Sequence, residues 1–122
     1  FGDQAEEMET WMILPGVDLS NQMQLSFDSQ VGFPVSGHDG LKVYISTDYT
    51  GFNIASATWT ELNGNIANSS SDSFTWINSG NITLPLENGV TGYIGFQYVG
   101  SGENGNNQTS TYGIDNVVVE AQ

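Results

Sequence analysis

The sequence almost lacks positive charge: Lys42 is its only Lys or Arg residue, and fourteen Asp and Glu residues leave a formal net charge of −13. This argues against binding to nucleic acid, which depends on Lys and Arg side chains that neutralise phosphates. An anionic membrane surface is disfavoured for the same reason. If the ligand is a polysaccharide, the charge favours a neutral one over a sulfated or uronate one. Alternatively, the charge serves only solubility in a salty medium.

Cysteine is absent as well, so neither a disulfide nor thiol chemistry is available to this chain. A bound metal ion is one candidate for holding its loops in place. No stretch approaches the roughly 20 apolar residues of a membrane-spanning helix, so no membrane insertion is expected. The chain shows no signal peptide and starts at Phe1 rather than at methionine. We therefore expect a piece excised from a larger secreted or cell-surface protein.

The turns and short strands that are present indicate an all-β protein. Fifteen glycines, together with frequent Asn and Ser, punctuate the chain, and no run of about ten residues carries a helical apolar stripe. We predict one domain over residues 1–122, a two-sheet antiparallel β-sandwich (jelly roll), in which residues 1–10 are a lead-in or a short edge strand. Strands are predicted over 11–15, 24–28, 41–45, 59–62, 74–77, 93–99 and 112–119.

The predicted loops contain the candidate ligand-binding residues. If successive strands run antiparallel, loops 30–40, 63–73 and 100–110 lie at one end of the sandwich. Sugar rings pack on exposed aromatic faces, while amides and carboxylates bind sugar hydroxyls. Alternatively, His38 is a surface histidine without a role, and the 100–110 loop is a flexible linker. The predicted ligand-binding residues are Phe33, His38, Asp39, Glu103, Asn104, Asn106, Asn107 and Tyr112.

A metal site is predicted around Asp115, which lies in an apolar strand between Ile114 and Val117. A carboxylate that enters a β-core needs a partner, because desolvating an unpaired charge is costly. The chain has almost no cationic side chains, so a metal ion or backbone N–H groups are the candidates. Calcium fits, since it takes six to eight oxygen ligands, and Glu9 and Asp28 are its predicted further ligands. Alternatively, Asp115 faces outward and bonds only to backbone.

Four other conspicuous residues receive structural interpretations. Trp59 and Trp76 fall in predicted strands and are assigned to the core. Asp48 stands in a turn, where its carboxylate is expected to cap backbone amides. Lys42 alternates away from the core side of its strand and is interpreted as a structural cation.

Several motifs, in a specific order along residues 10–119, carry a family resemblance. They are TWMILPGVDLS at 10–20, VYISTDYTG at 43–51, ATWTEL at 57–62, YIGFQY at 93–98 and GIDNV at 113–117. Together they resemble the choice-of-anchor J domain, which is close to the cleaved-adhesin and MAM-like jelly rolls of secreted Bacteroidetes proteins. The resemblance implies a calcium-binding jelly roll appended to a larger secreted enzyme or adhesin, with a role in carbohydrate or surface binding.

The functional prediction is a non-catalytic carbohydrate-binding module. Such a module would hold a covalently linked catalytic domain near its polysaccharide by raising the effective concentration. An adhesion or spacer module, binding protein or nothing, is the alternative. A glycan-active enzyme is a weaker alternative. The chain has enough carboxylates for the pair that glycoside hydrolysis uses, but no catalytic motif such as G-x-S-x-G is present.

Overall fold

The predicted all-β sandwich is confirmed by the structure, a computed structural model that describes residues 7–36, 38–101 and 111–122. The described part of the chain contains nine strands and one 3-10 turn (Ile54–Ser56), joined by loops. No helix in this part is long and apolar enough to cross a membrane. The strands are β1 Glu7–Ile13, β2 Val17–Asp18, β3 Met23–Gly32, β4 Leu41–Ser46, β5 Thr60–Glu61, β6 Ile77–Asn78, β7 Ile82–Thr83, β8 Thr91–Ser101 and β9 Thr111–Ala121.

The strands form two antiparallel sheets. Sheet 1 has the order β1-β8-β4-β5, and β2 pairs with β8 beyond the end of β1. In sheet 2, β9 pairs along most of the length of β3, so β6 and β7 both pair with the other edge of β3. Residues 7–10 belong to β1, which is an edge strand of sheet 1.

The core lies between β8 of sheet 1 and β3 of sheet 2. Alternation along β3 directs Leu25 and Phe27 inward, and alternation along β4 does the same for Val43, as the sequence predicts. The rings of Phe27 and Phe96 meet edge to face across the two sheets, with centroids 4.9 Å apart. This contact fixes β8 opposite β3, and β1 lies opposite β9, because Met12 and Ile114 line the same cavity.

An irregular segment closes the side of the sandwich between β5 and the pair β6 and β7. Residues 62–67 run along this side, with Leu62 and Ala67 buried. Their backbone N–H groups donate to the Val43 carbonyl (2.8 Å) and to the Ser29 hydroxyl (2.9 Å). The segment therefore covers apolar side chains that a two-layer sandwich otherwise leaves open along its flank.

A β-bulge in β9 corrects the prediction for Asp115. Between the pairs Ser26–Val118 and Asp28–Asp115, β9 contains two residues where β3 contains one. The extra residue, Asn116, has φ 53°, a left-handed conformation that Asn tolerates better than most residues. The bulge lets Ile114 and Val117 both pack against the core, while Asp115 is exposed. The prediction that Asp115 enters the core is therefore wrong.

Candidate functional site

Three exposed aromatic side chains cluster on sheet 2, at the end of β3. Their exposed fractions are 72% for Phe33, 53% for Phe74 and 48% for Trp76. The rings of Phe33 and Phe74 meet edge to face, 5.3 Å apart. We call these three residues the aromatic patch. Exposed aromatic residues that are grouped in this way are typical of binding surfaces, whereas single ones need no explanation.

The two phenylalanines of the patch have unfavourable backbone conformations. Phe33 has φ 52° and Phe74 has φ 58°, and bulky residues rarely adopt this left-handed region. Hydrogen bonds maintain it: the Phe33 N–H donates to the Ser73 hydroxyl (3.1 Å), and the Phe74 N–H donates to the Val31 carbonyl (2.7 Å). Strain of this kind persists only where the surrounding structure compensates for it. It is found most often at functional sites.

Gly32 provides the space for this arrangement. A Cβ atom at residue 32 would collide with the Phe74 ring, at a distance much shorter than any van der Waals contact allows. The ring of Phe74 therefore lies directly on the backbone of β3. Any side chain at position 32 would displace it from the patch.

The indole of Trp76 lies across the outer face of sheet 2. Trp76 precedes β6, yet its ring atom Cη2 is 3.7 Å from the position of a Cβ at Gly113 on β9. Because β3 lies between β6 and β9, the ring extends over β3, where the side chain of Gln30 also contacts the Gly113 position. The assignment of Trp76 to the core is therefore wrong.

Amide and carboxylate groups continue the same outer face next to Trp76. The Asp28 carboxylate accepts hydrogen bonds from the side-chain amides of Asn78 (2.9 Å) and Asn116 (2.8 Å). Asp115 lies opposite Asp28 in the β3–β9 pairing, and its carboxylate accepts from the Asn116 backbone N–H (2.8 Å). We call Asp28, Asn78, Asp115 and Asn116 the amide–carboxylate row. Its groups are held in place and remain largely accessible to solvent.

Hydrogen bonds lower the pKa of Asp28 in this row and of Asp39 and Asp48 in two turns. The amides of Asn116 and then Asn78 lower the pKa of Asp28 below its ordinary 3.8. The backbone N–H of Ser69 lowers the pKa of Asp39, and that of Thr58 lowers the pKa of Asp48. The last contact agrees with the predicted capping role of Asp48, whose Oδ1 lies 2.8 Å from the Thr58 nitrogen.

The lowered pKa values and the net negative charge together predict an optimum of thermal stability in mild acid. Groups with a lowered pKa in the folded state stabilise it above about pH 4, and this contribution is lost as the pH falls through the folded-state pKa values. Acidification from pH 7 first relieves the repulsion of thirteen net negative charges. We expect the melting temperature, followed by circular dichroism, to rise toward about pH 5 and to fall below about pH 4. A continuous rise down to pH 3 would contradict this expectation, and Asp28→Asn should reduce the acid decline.

The structure brings the predicted loops 30–40 and 63–73 together. The Ser69 N–H donates to the exposed Asp39 carboxylate (2.9 Å). His38, however, is only 3% exposed, and its Nε2 lies 2.7 Å from the Val99 carbonyl oxygen. The half-buried Tyr112 donates its hydroxyl to the His38 carbonyl (2.8 Å). The prediction that His38 is exposed for a ligand is wrong, because the side chain joins this loop to β8.

The predicted ligand-binding residues of the 100–110 loop lie outside the described residues. They are Glu103, Asn104, Asn106 and Asn107. Their role in binding stays a prediction.

The predicted calcium ligands do not meet. Asp28 and Asp115 lie on the outer face of sheet 2, whereas Glu9 lies on β1 in sheet 1, where its carboxylate accepts from Trp11 and Gln97. Among the described residues, no group of three or more Asp, Glu or His side chains could hold a metal ion. The predicted ligand set therefore does not fit calcium. An ion bound elsewhere stays a prediction, which a chelator tests by lowering the melting temperature if the ion is structural.

A second group of aromatic residues lies on the outer face of sheet 1. Trp11 contacts Tyr44 and Trp59, with ring centroids 5.5 and 5.0 Å apart, and Tyr49 extends the row from Trp59 (5.4 Å). The rings are half-buried and tilted against one another, and the indole N–H of Trp59 donates to the Ile54 carbonyl. Trp11 also covers the backbone of Gly95. This row packs the outer face of the sheet, so Trp59 is structural but lies outside the core.

Comparison with known proteins gives a family. The model of a family described as a domain of unknown function (DUF5017) matches residues 16–122. No curated protein sequence matches the chain significantly. Among solved structures, the K1 cleaved adhesin domain of Lys-gingipain from Porphyromonas gingivalis W83 is similar, with 17% identity and a TM-score of 0.48. The alignment covers 92% of this chain and 63% of that one. The resemblance to the choice-of-anchor J domain stays a prediction.

Proposed function

The chain belongs to the DUF5017 family, and since that family is described only as a domain of unknown function, we propose a function from the chain's own surface: a non-catalytic module that binds glycans. The observation that carries this proposal is the position of Trp76. Its half-exposed indole extends across the outer face of sheet 2, beside the amide–carboxylate row.

Both parts of this surface suit a sugar. The carbon-bound hydrogens of a pyranose ring are apolar and pack against an aromatic face, which loses contact with water when it is covered. The hydroxyl groups around the ring need donors and acceptors within hydrogen-bonding distance. Asn78 and Asn116 supply amides, and Asp28 and Asp115 supply carboxylates. The strands of sheet 2 hold these groups, so a ligand does not have to order them.

The charge of the chain favours a neutral polysaccharide. The chain contains fourteen acidic residues and one Lys. Two of the acidic residues, Asp28 and Asp115, lie within the proposed surface. A sulfated or uronate chain would bring more negative charge to this face, where no cation is available to compensate. In this proposal the module is part of a secreted or cell-surface protein and holds a covalently linked catalytic domain near its substrate.

Adhesion to a protein is the second candidate function, and the exposure of Phe33 and Phe74 favours it. These two rings present apolar area at the end of β3 without polar groups of their own. Aromatic residues are enriched in protein interfaces, where a few of them supply most of the binding energy. The two candidates differ in whether the ligand also needs the amide–carboxylate row.

Affinity gel electrophoresis distinguishes the candidates. We expect a neutral polysaccharide in the gel, such as xylan, glucomannan or hydroxyethyl cellulose, to retard the protein. We expect alginate and polygalacturonate, which are polyanionic, to have no such effect. Absence of retardation by every neutral polysaccharide, with and without calcium, would remove the glycan proposal. Release of reducing sugar from a retarding polysaccharide would show instead that the chain is an enzyme.

A further inference from the structure

The side of the sandwich between β1 and β9 has an apolar surface that the glycan proposal does not use. Two cavities, of about 250 Å³ and 510 Å³, follow each other along this side. We call it the open seam. The side chains that line it from the two edge strands and from Leu14 after β1 are Thr10, Met12, Leu14, Tyr112, Ile114, Val117 and Val119.

The opposite side of the molecule shows how such a seam is closed. There, residues 62–67 lie between the sheets, bury Leu62 and Ala67, and bond to the neighbouring strands through backbone N–H groups. No described segment does the same between β1 and β9, and Met12 is exposed there. In the part of the chain that the structure describes, one flank is therefore covered by an extended segment, and the other has the space and the apolar lining to accept one.

The backbone at the open seam is also available for pairing. Within the described ranges, the eleven-residue β9 pairs only with β3, and β1 pairs only with β8. The outer edge of each strand therefore has N–H and C=O groups that can hydrogen-bond to an added strand. An added strand places alternate side chains on one face, which matches the alternate lining positions Tyr112 and Ile114, and then Val117 and Val119.

The charges around the seam indicate the chemistry of the partner. Asp18 lines the larger cavity, and Asp115 and Glu120 stand on the exposed face of β9. The one cation, Lys42, is on β4, which β8 separates from β1. We propose that the open seam binds an extended protein segment that has apolar residues at alternate positions and Lys or Arg at its ends. A second copy of this chain is disfavoured as the partner, because each copy has a net charge of −13.

A synthetic peptide tests this inference. The probe is an extended peptide of about nine residues with Val at alternate positions, Thr between them and Lys at both ends, a length that spans the lining positions of β9 from Tyr112 to Val119. We expect it to bind the wild-type protein in fluorescence anisotropy and to raise its melting temperature. A peptide with Glu at both ends should bind at least about tenfold more weakly at low salt. Equal binding of the two, or no binding of the Lys peptide, would overturn the proposal.

Variants locate the binding site. Val117→Glu places a charge in the seam, whereas Val118→Glu places the same charge on the adjacent, outward-facing position of β9. We expect the first to reduce peptide affinity at least about tenfold and the second to preserve it. Met12→Glu, at an exposed position across the seam, serves as a second variant if Val117→Glu unfolds. Equal effects of Val118→Glu and Met12→Glu on peptide affinity would reject binding of the peptide in the seam. Dimers of the wild-type protein in analytical ultracentrifugation would reject the proposed partner in favour of a second copy.

Discussion

Trp76→Ala should weaken the binding of neutral polysaccharide by about threefold to tenfold, because a sugar would newly cover only the exposed half of the indole. About half of the indole is exposed in the free protein and would be covered by a sugar ring. Full burial of an aromatic side chain is worth about 1.5–3 kcal/mol, and about 1.4 kcal/mol corresponds to a factor of ten in affinity. Affinity electrophoresis over a range of polysaccharide concentrations measures the dissociation constant directly.

Phe52→Ala is the matched control for this prediction. Phe52 is another exposed aromatic residue, but it lies in the loop before the 3-10 turn at Ile54–Ser56, away from the patch. We expect this variant to bind polysaccharide like the wild type. Both variants should melt within a few degrees of the wild type, because exposed side chains contribute little to stability. Equal loss of affinity in the two variants would show that binding is not centred on Trp76.

Gly32→Ala offers a test that leaves the aromatic side chains themselves unchanged. The new Cβ would collide with the Phe74 ring, so the ring has to move away from β3. If Phe33 and Phe74 form part of the glycan surface, affinity should fall together with the contact between their rings. If only Trp76 and the amide–carboxylate row bind the sugar, affinity should be preserved.

The alternation of apolar residues made the sandwich predictable. Leu25 and Phe27 on β3, and Leu41, Val43 and Ile45 on β4, have the spacing of a half-buried strand, and all five are buried. Alternation depends only on neighbours along the chain, so it identifies a strand and its inner face. It gave no reliable guide in the segment around residue 74, where Phe74 is left-handed and the strand is limited to Ile77–Asn78.

Trp76 could not be placed from its local sequence. An aromatic residue next to Ile77 fits a core strand, and nothing nearby indicates that its ring faces outward. The feature that accommodates it is Gly113, on a strand 37 residues further along the chain, which leaves room above the sheet. Asp115 presents the same difficulty, since its direction depends on the bulge at Asn116. Such features depend on pairing between distant strands, which one sequence does not reveal.

His38 shows the converse error. A histidine in a loop that contains Gly and Pro has the composition of a surface residue. Its burial results from contacts with Val99 on β8 and with Tyr112 on β9, both more than 60 residues away. The loop is thereby attached to both sheets, and this attachment accounts for the position of the neighbouring Asp39 beside Ser69.

Phe27→Ala should have the largest effect on stability, a loss of about 3–5 kcal/mol in the free energy of unfolding. Phe27 is fully buried at the centre of β3, and its ring packs edge to face on Phe96 across the two sheets. Its removal leaves a cavity where the sheets meet. A domain of this length has a total stability of roughly 6–18 kcal/mol, so the variant should remain folded but unfold at a much lower urea concentration.

Urea unfolding at constant pH separates this effect from binding. The midpoint should fall while the slope of the free energy against urea stays unchanged, because the surface exposed on unfolding is nearly the same. Below its transition, the variant should still bind neutral polysaccharide, since Trp76 and the amide–carboxylate row lie on the outer face of sheet 2. Loss of binding by folded Phe27→Ala would mean that the ligand contacts the sandwich interior, and would place the glycan site elsewhere.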